Sequence, residues 1–146
     1  MIGLIFICVL SLVGCGLPGN ASSQPSQIAV KDAWARPTVG LTNAVGGVYL
    51  VIENMGGPDK LTGISGDVAA MSSVHETKDN NGMMQMNEVQ GGLEIPANST
   101  VTLKPGGLHI MMMDMKQELK AGDTFKLTLK FQSGKDIPVD VTVRDE

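Results

Sequence analysis

Thr124-Phe125-Lys126-Leu127-Thr128-Leu129-Lys130-Phe131 decides the fold class. Phe125, Leu127, Leu129 and Phe131 alternate with Thr124, Lys126, Thr128 and Lys130, so one face is apolar and the other polar. A period of two belongs to a half-buried β-strand, since a helix needs apolar side chains every three to four residues. Ile137, Val139, Val141 and Val143 repeat the pattern against Pro138, Asp140, Thr142 and Arg144. Ser133-Gly134-Lys135 between the two runs reads as a turn.

Working outward, the same period recurs. Val48 to Ile52 is a buried-strand run, and Ile28 to Trp34 is another, ended by Pro37. Val101-Thr102-Leu103 leads through Lys104-Pro105-Gly106-Gly107, a turn, into a strand from Leu108 to Met113. Ser73 to Thr77 and Met83 to Val89 read as strands joined by a turn over Lys78 to Gly82, where Asn and Gly supply positive φ. A helical turn is expected only over Met115 to Leu119, stopped by Gly122. Short strands with Gly and Pro turns predict an all-β antiparallel sandwich or barrel. One domain, residues 28–146, holds all of them.

Composition narrows the function classes. The 146 residues are 42% hydrophobic and 18% charged, with formal net charge −4, enough for one real core. Mild acidity argues against a nucleic-acid binder, which needs clustered Lys and Arg. Two Cys make neither a disulfide framework nor a thiolate zinc site. The anomaly is ten Met against three Phe, one Tyr and one Trp.

The first charged side chain is Lys31, and Ile2 to Val13 is almost unbroken apolar sequence. That run is short of the roughly 20 residues a membrane span takes. It fits a secretory signal over residues 1–14. Leu12-Val13-Gly14-Cys15 resembles a bacterial lipobox, which makes Cys15 the lipidated N-terminus; the alternative is a plain signal cleaved nearby, with Cys15 incidental. Residues 15–27, rich in Gly, Ser, Pro, Asn and Gln, then read as a flexible tether to a membrane. Cys8 would leave with the signal, so the mature domain would hold no free thiol.

Seven Met fall in two windows: Met83, Met84 and Met86, then Met111, Met112, Met113 and Met115. His75 and His109, the two histidines of the chain, sit beside them. With the turn centred on Asn80-Asn81, His75 faces Met86. Centred on Asn81-Gly82, it has Met86 as a diagonal neighbour, and either register keeps the two in reach. Met84 shares Met86's face; Met83 points the other way and is expected in the core. His109 and Met111 share a face, continued by Met113, while Leu108, Ile110 and Met112 line the core. Singly, a Met stripe is packing and a lone His is structural. Jointly, both His at strand spacing from Met point to a metal site.

Thioether is soft and imidazole borderline, so this donor set selects Cu(I) over zinc, magnesium or calcium. A thioether cannot form a disulfide and needs no deprotonation, which suits an oxidising compartment. A blue-copper electron carrier would need a Cys thiolate. No nucleophile–base set, carboxylate pair near the His, phosphate loop or dinucleotide fingerprint is legible, so no enzyme is expected.

Asp32-Ala33-Trp34-Ala35-Arg36-Pro37, Ala44 to Asn54 (AVGGVYLVIEN), His75-Glu76-Thr77, Gly91 to Ala97 and Leu103 to Met111 together resemble the PCuAC family of periplasmic copper chaperones, from about Val30 to Val143. The resemblance implies a cupredoxin-like, immunoglobulin-like antiparallel β-sandwich. It implies Cu(I) ligands at His75, Met86, His109 and Met111, with one residue more before His109 than the family's spacing. The loop Val89 to Gly92 can absorb it. Met84 and Met113 are reserve ligands, with Met71 behind them. The resemblance further implies delivery of Cu(I) toward the copper centre of a haem–copper oxidase, with the oxidase copper subunit or a thioredoxin-like copper chaperone as partners. The expectation is therefore a lipid-anchored extracytoplasmic Cu(I) carrier. Its rival is a sandwich lipoprotein whose Met patch binds a protein partner.

Overall fold

Alternating side chains build ten strands in the computed structural model, which describes residues 24–40 and 45–146. The signal read over 1–14, Cys15, the tether as far as residue 23, and Ala44 lie outside the described residues. The strands are β1 (Ile28–Ala35), β2 (Gly46–Asn54), β3 (Asp59–Gly66), β4 (Ala69–Asn80), β5 (Met83–Glu88), β6 (Leu93–Ile95), β7 (Ser99–Leu103), β8 (Leu108–Met115), β9 (Thr124–Phe131) and β10 (Asp136–Val143). They pair in the order β5-β4-β8-β2-β1-β10-β9-β3-β6, with β7 on the far half of β2. Eight of the ten strands have only antiparallel partners; β1 and β10 also share one parallel seam, which joins the two halves. β3 lies against β4 without pairing, so the path wraps into two layers.

The opening stretch behaves as its alternation demands. Phe125, Leu127, Leu129 and Phe131 are buried, with Val139, Val141 and Val143 from β10 beside them. They share one core with Val48, Leu50, Ile52, Val74, Ile110 and Met112 from the other half. Each such side chain contributes about 1.5–3 kcal/mol on burial. The all-β sandwich is thus what forms, and Ile110 and Met112 are core as expected.

Two expectations change. No helix forms over Met115 to Leu119: Met115 closes β8 and a bend follows, because Leu119 is drawn into the core and its amide binds the Thr38 hydroxyl. Met83 is not core but 69% exposed, because the β4–β5 hairpin runs on past the sandwich and every residue of β5 is exposed. Two strands had no legible pattern. β3 carries a bulge between Leu61 and Gly63, and β6 has three residues, too few to show a period.

The polypeptide is also seated before Ile28. Ser26 is buried, and its hydroxyl donates to Asp59 Oδ2 at 2.5 Å. Asn54 Oδ1 accepts from the amides of Gln27 and Gly56, and its Nδ2 donates to the carbonyls of Gly57 and Pro96. Gly57 has no room for a side chain, since a Cβ would sit 1.9 Å from the Gln24 carbonyl oxygen. So Gln24 to Gln27, read as the end of the tether, lie against the domain.

Burial alone would raise the Asp59 carboxyl, but hydrogen bonds from the Ser133 and Ser26 hydroxyls and the Lys60 and Ser133 amides outweigh it and hold it below the ordinary carboxylate value. A depressed folded pKa adds stability above the unfolded value, about 4, and that contribution is lost as pH falls through the lower folded value. The stability of the wild type against urea should therefore fall below about pH 4. Asp59→Asn should cost about 2 kcal/mol at neutral pH and flatten that acid limb. An unchanged acid limb in the variant would assign it to other carboxylates.

Candidate metal centre

The hairpin turn sets the site. Asn81 and Gly82 both have positive φ, 58° and 86°, the geometry of a two-residue primed turn. Of the two registers open from sequence, this is the one centred on Asn81-Gly82. It pairs His75 with Glu88 and Thr77 with Met86. Met86 is therefore the diagonal neighbour of His75, on the same face.

On the other side of β4, the antiparallel register sets His75 directly opposite His109, Ser73 opposite Met111 and Met71 opposite Met113. The two imidazole centroids are 6.2 Å apart. Val74, Ile110 and Met112 take the intervening positions and enter the core. His75, His109, Met86 and Met111 thus share the sheet's outer face, with Met111 one row to one side of the His pair and Met86 one row to the other. Met84 and Met113 lie further out on that face, while Met83 lies on its reverse.

Hydrogen bonds orient both rings. His109 Nδ1 donates to the Gly107 carbonyl at 3.0 Å, which leaves Nε2 as a lone pair. His75 Nε2 meets the Ser73 hydroxyl at 3.0 Å. His75 Nδ1 is buried with no partner, an arrangement that costs about 1–3 kcal/mol unless something binds it. A metal ion accepting that lone pair would supply the missing partner. Partners of this kind on the ring's second nitrogen fix tautomer and aim in metal-binding histidines.

Aromatic rings wall one side. Trp34 opposes Tyr49 across β1 and β2, with centroids 4.6 Å apart. Tyr49 lies 6.4 Å from His109. These rings leave His109 only 7% exposed although it is on the outer face. Gly47, paired with Met111, leaves room for the Tyr49 ring: a Cβ there would stand 2.8 Å from the Tyr49 hydroxyl oxygen and push the ring aside.

On the open side Met86 is 52% exposed and Met84 63%. Among the described residues, no group of three or more His, Cys, Asp or Glu is placed to hold a metal. The donors beside the histidines are thioethers, so the face suits a soft cation. Glu76 keeps to the opposite face and pairs with Lys78. Asp114 is an exposed, positive-φ residue within β8. Sequence reasoning missed Ser73, Gly107, Tyr49 and Glu88. A signal existed for the first two, since each stands two residues before its histidine and so on the same face.

Known proteins share this framework. A family model described as "Putative lipoprotein LpqE-like" matches residues 28–143. "Putative lipoprotein Lxx21020" of Leifsonia xyli subsp. xyli is 38% identical over 144 residues, 94% of this chain and 84% of its own. "Uncharacterized protein RP573" of Rickettsia prowazekii is 32% identical, over 84% of this chain and 70% of its own. Among solved structures, the "Copper-bound PCuAC domain from PmoF2" is 23% identical with TM-score 0.66, covering 82% of this chain and 93% of that one, a likeness of fold. The Cu(I) form of DR1885 from Deinococcus radiodurans is 31% identical with TM-score 0.62, covering 86% and 83%. The cupredoxin-like fold and the PCuAC resemblance read from the motifs are both borne out.

Ser73 supplies a direct check on ring orientation. Ser73→Ala should lower affinity for Ag(I) about ten- to a hundredfold in a chelator competition. Thermal stability should move by no more than about 1 kcal/mol. Undiminished affinity would mean that His75 is aimed by something else.

Proposed function

The chain belongs to the LpqE-like family, and on that premise we propose that it is an extracytoplasmic copper carrier that holds Cu(I) at His75, Met86, His109 and Met111. The observation that carries this is the His75–His109 pair, both rings oriented by a hydrogen bond and one nitrogen buried without a partner. The copper-bound and Cu(I) forms of similar domains support the choice of metal.

Transfer proceeds by ligand exchange. The histidines sit against the sheet, while Met86 reaches solvent. A partner's soft donor displaces the exposed thioether first, then takes the ion from the two imidazoles. No proton leaves a thioether on binding, so only the His side chains compete with protons for the metal. The work is carriage rather than catalysis, and its partners are copper-donating or copper-accepting extracytoplasmic proteins. The oxidase copper centre is the destination that the PCuAC resemblance implies. Lipoprotein names among the relatives support lipidation at Cys15 after removal of residues 1–14, with the following segment tethering the domain of residues 28–146 to a membrane.

One observation favours a second reading. Met83, Met84 and Met86 are all exposed on a strand that no element among the described residues covers, which fits a surface that binds a protein partner. On that reading His109→Ala leaves partner binding intact and Cu(I) binds no better than to a Met-rich peptide.

The deciding experiment titrates the protein with Cu(I) against a competing chelator. One tight equivalent is expected, weakened at least tenfold by each of His75→Ala, Met86→Ala, His109→Ala and Met111→Ala. Affinity unchanged from the wild type in all four variants would refute the site.

A further inference from the structure

The outer face carries more thioethers than one four-ligand ion uses. Met71 and Met113 are direct cross-strand partners on β4 and β8. By the period of two they share the face of His75, His109 and Met111. Met71 is 55% exposed, so it packs no core. Both side chains line one shallow depression, together with Ser72, Ser73 and Glu88. Directly opposed residues stand about 4.5–5.5 Å apart at Cβ, which lets two flexible thioethers converge on one ion. Met111 lies midway along β8, about 7 Å from His109 and from Met113 at the rise of a strand. Glu88, also lining the depression, adds negative charge that attracts a cation.

We propose that Met71 and Met113, with Met111 at their edge, form a second and weaker site for a soft monovalent cation, Cu(I) or Ag(I), adjoining the first. It takes the ion with its charge unchanged, by exchange of thioethers alone. With no imidazole, it binds more weakly than the His pair and does not compete with protons. Sharing the reach of Met111, it gives an ion a foothold between an incoming donor and the two histidines. The sequence places Met71 behind Met84 and Met113; the β4–β8 register brings it opposite Met113.

This inference rests on the copper-carrier reading, and one experiment separates the two. The full chain, labelled with carbon-13 at the methionine methyls and nitrogen-15 at the histidines, is titrated with Ag(I), a redox-inert probe. The first equivalent should move the His75 and His109 rings with the Met86 and Met111 methyls. The second should move the Met71 and Met113 methyls, and Met71→Leu should abolish that second step while leaving the first. Met71 is exposed, so the variant folds. If the histidines respond but the Met71 and Met113 methyls stay still through two equivalents, or if their shifts persist in Met71→Leu, the second site is overturned and the carrier reading stands. If the histidines stay still throughout, the carrier reading falls, and the second site falls with it.

Discussion

The antiparallel pairing of β4 with β8 is the constraint on which everything else depends. Its register sets two distant histidines opposite each other. A slip of one residue would turn His75 inward and Val74 outward, placing an imidazole in an apolar core and a valine on the candidate site. The register is pinned from the core side, because Val74, Ile110 and Met112 are buried there. Hydrophobic burial on one face therefore fixes chemistry on the other. The Asn81-Gly82 turn does the same for β5, and so decides where Met86 and Met84 stand.

Around that pairing the two faces of the half-sheet divide the labour. Inside, Val48, Ile110 and Met112 complete a core shared with β9 and β10. Outside, Trp34, Tyr49, His109, His75 and Glu88 form one row across five strands. The aromatic end shields His109 while the β5 end stays open to solvent. Soft donors on the open side and buried nitrogens on the closed side would let an ion be held firmly yet reached by a partner. Cys occurs only at positions 8 and 15, so the described domain offers thioether and imidazole but no thiolate, the donor that an oxidising compartment would oxidise. The clamp of Ser26 on Asp59 and the Asn54 hydrogen bonds fix the N-terminal approach at the opposite end of β2 from Gly47.

Much of this was legible because β9 and β10 alternate strictly and β2 is a continuous apolar run. Legibility failed where the physics leaves no pattern. β3 is broken by a bulge and by Gly66, which lets β9 approach so closely that a Cβ would meet Leu127 at 2.5 Å. Met83 looked like core because a strand with one exposed face normally buries the other. The hairpin outruns the second layer, so neither face of β5 is covered. For the site, spacing within each window was readable, and so was the pair of registers for β5. Which register β5 takes needed the φ values of Asn81 and Gly82, and that His75 meets His109 needed the β4–β8 pairing, a contact between segments 34 residues apart that no local pattern encodes. The buried, unpartnered Nδ1 of His75 is a three-dimensional fact of the same kind.

X-ray absorption at the copper edge of the protein loaded with one equivalent of Cu(I) tests the central claim most directly. The account predicts a Cu(I) edge with imidazole nitrogen and thioether sulfur both in the first coordination shell, in equal number. A shell of nitrogen and oxygen alone, or of sulfur without imidazole, would contradict it.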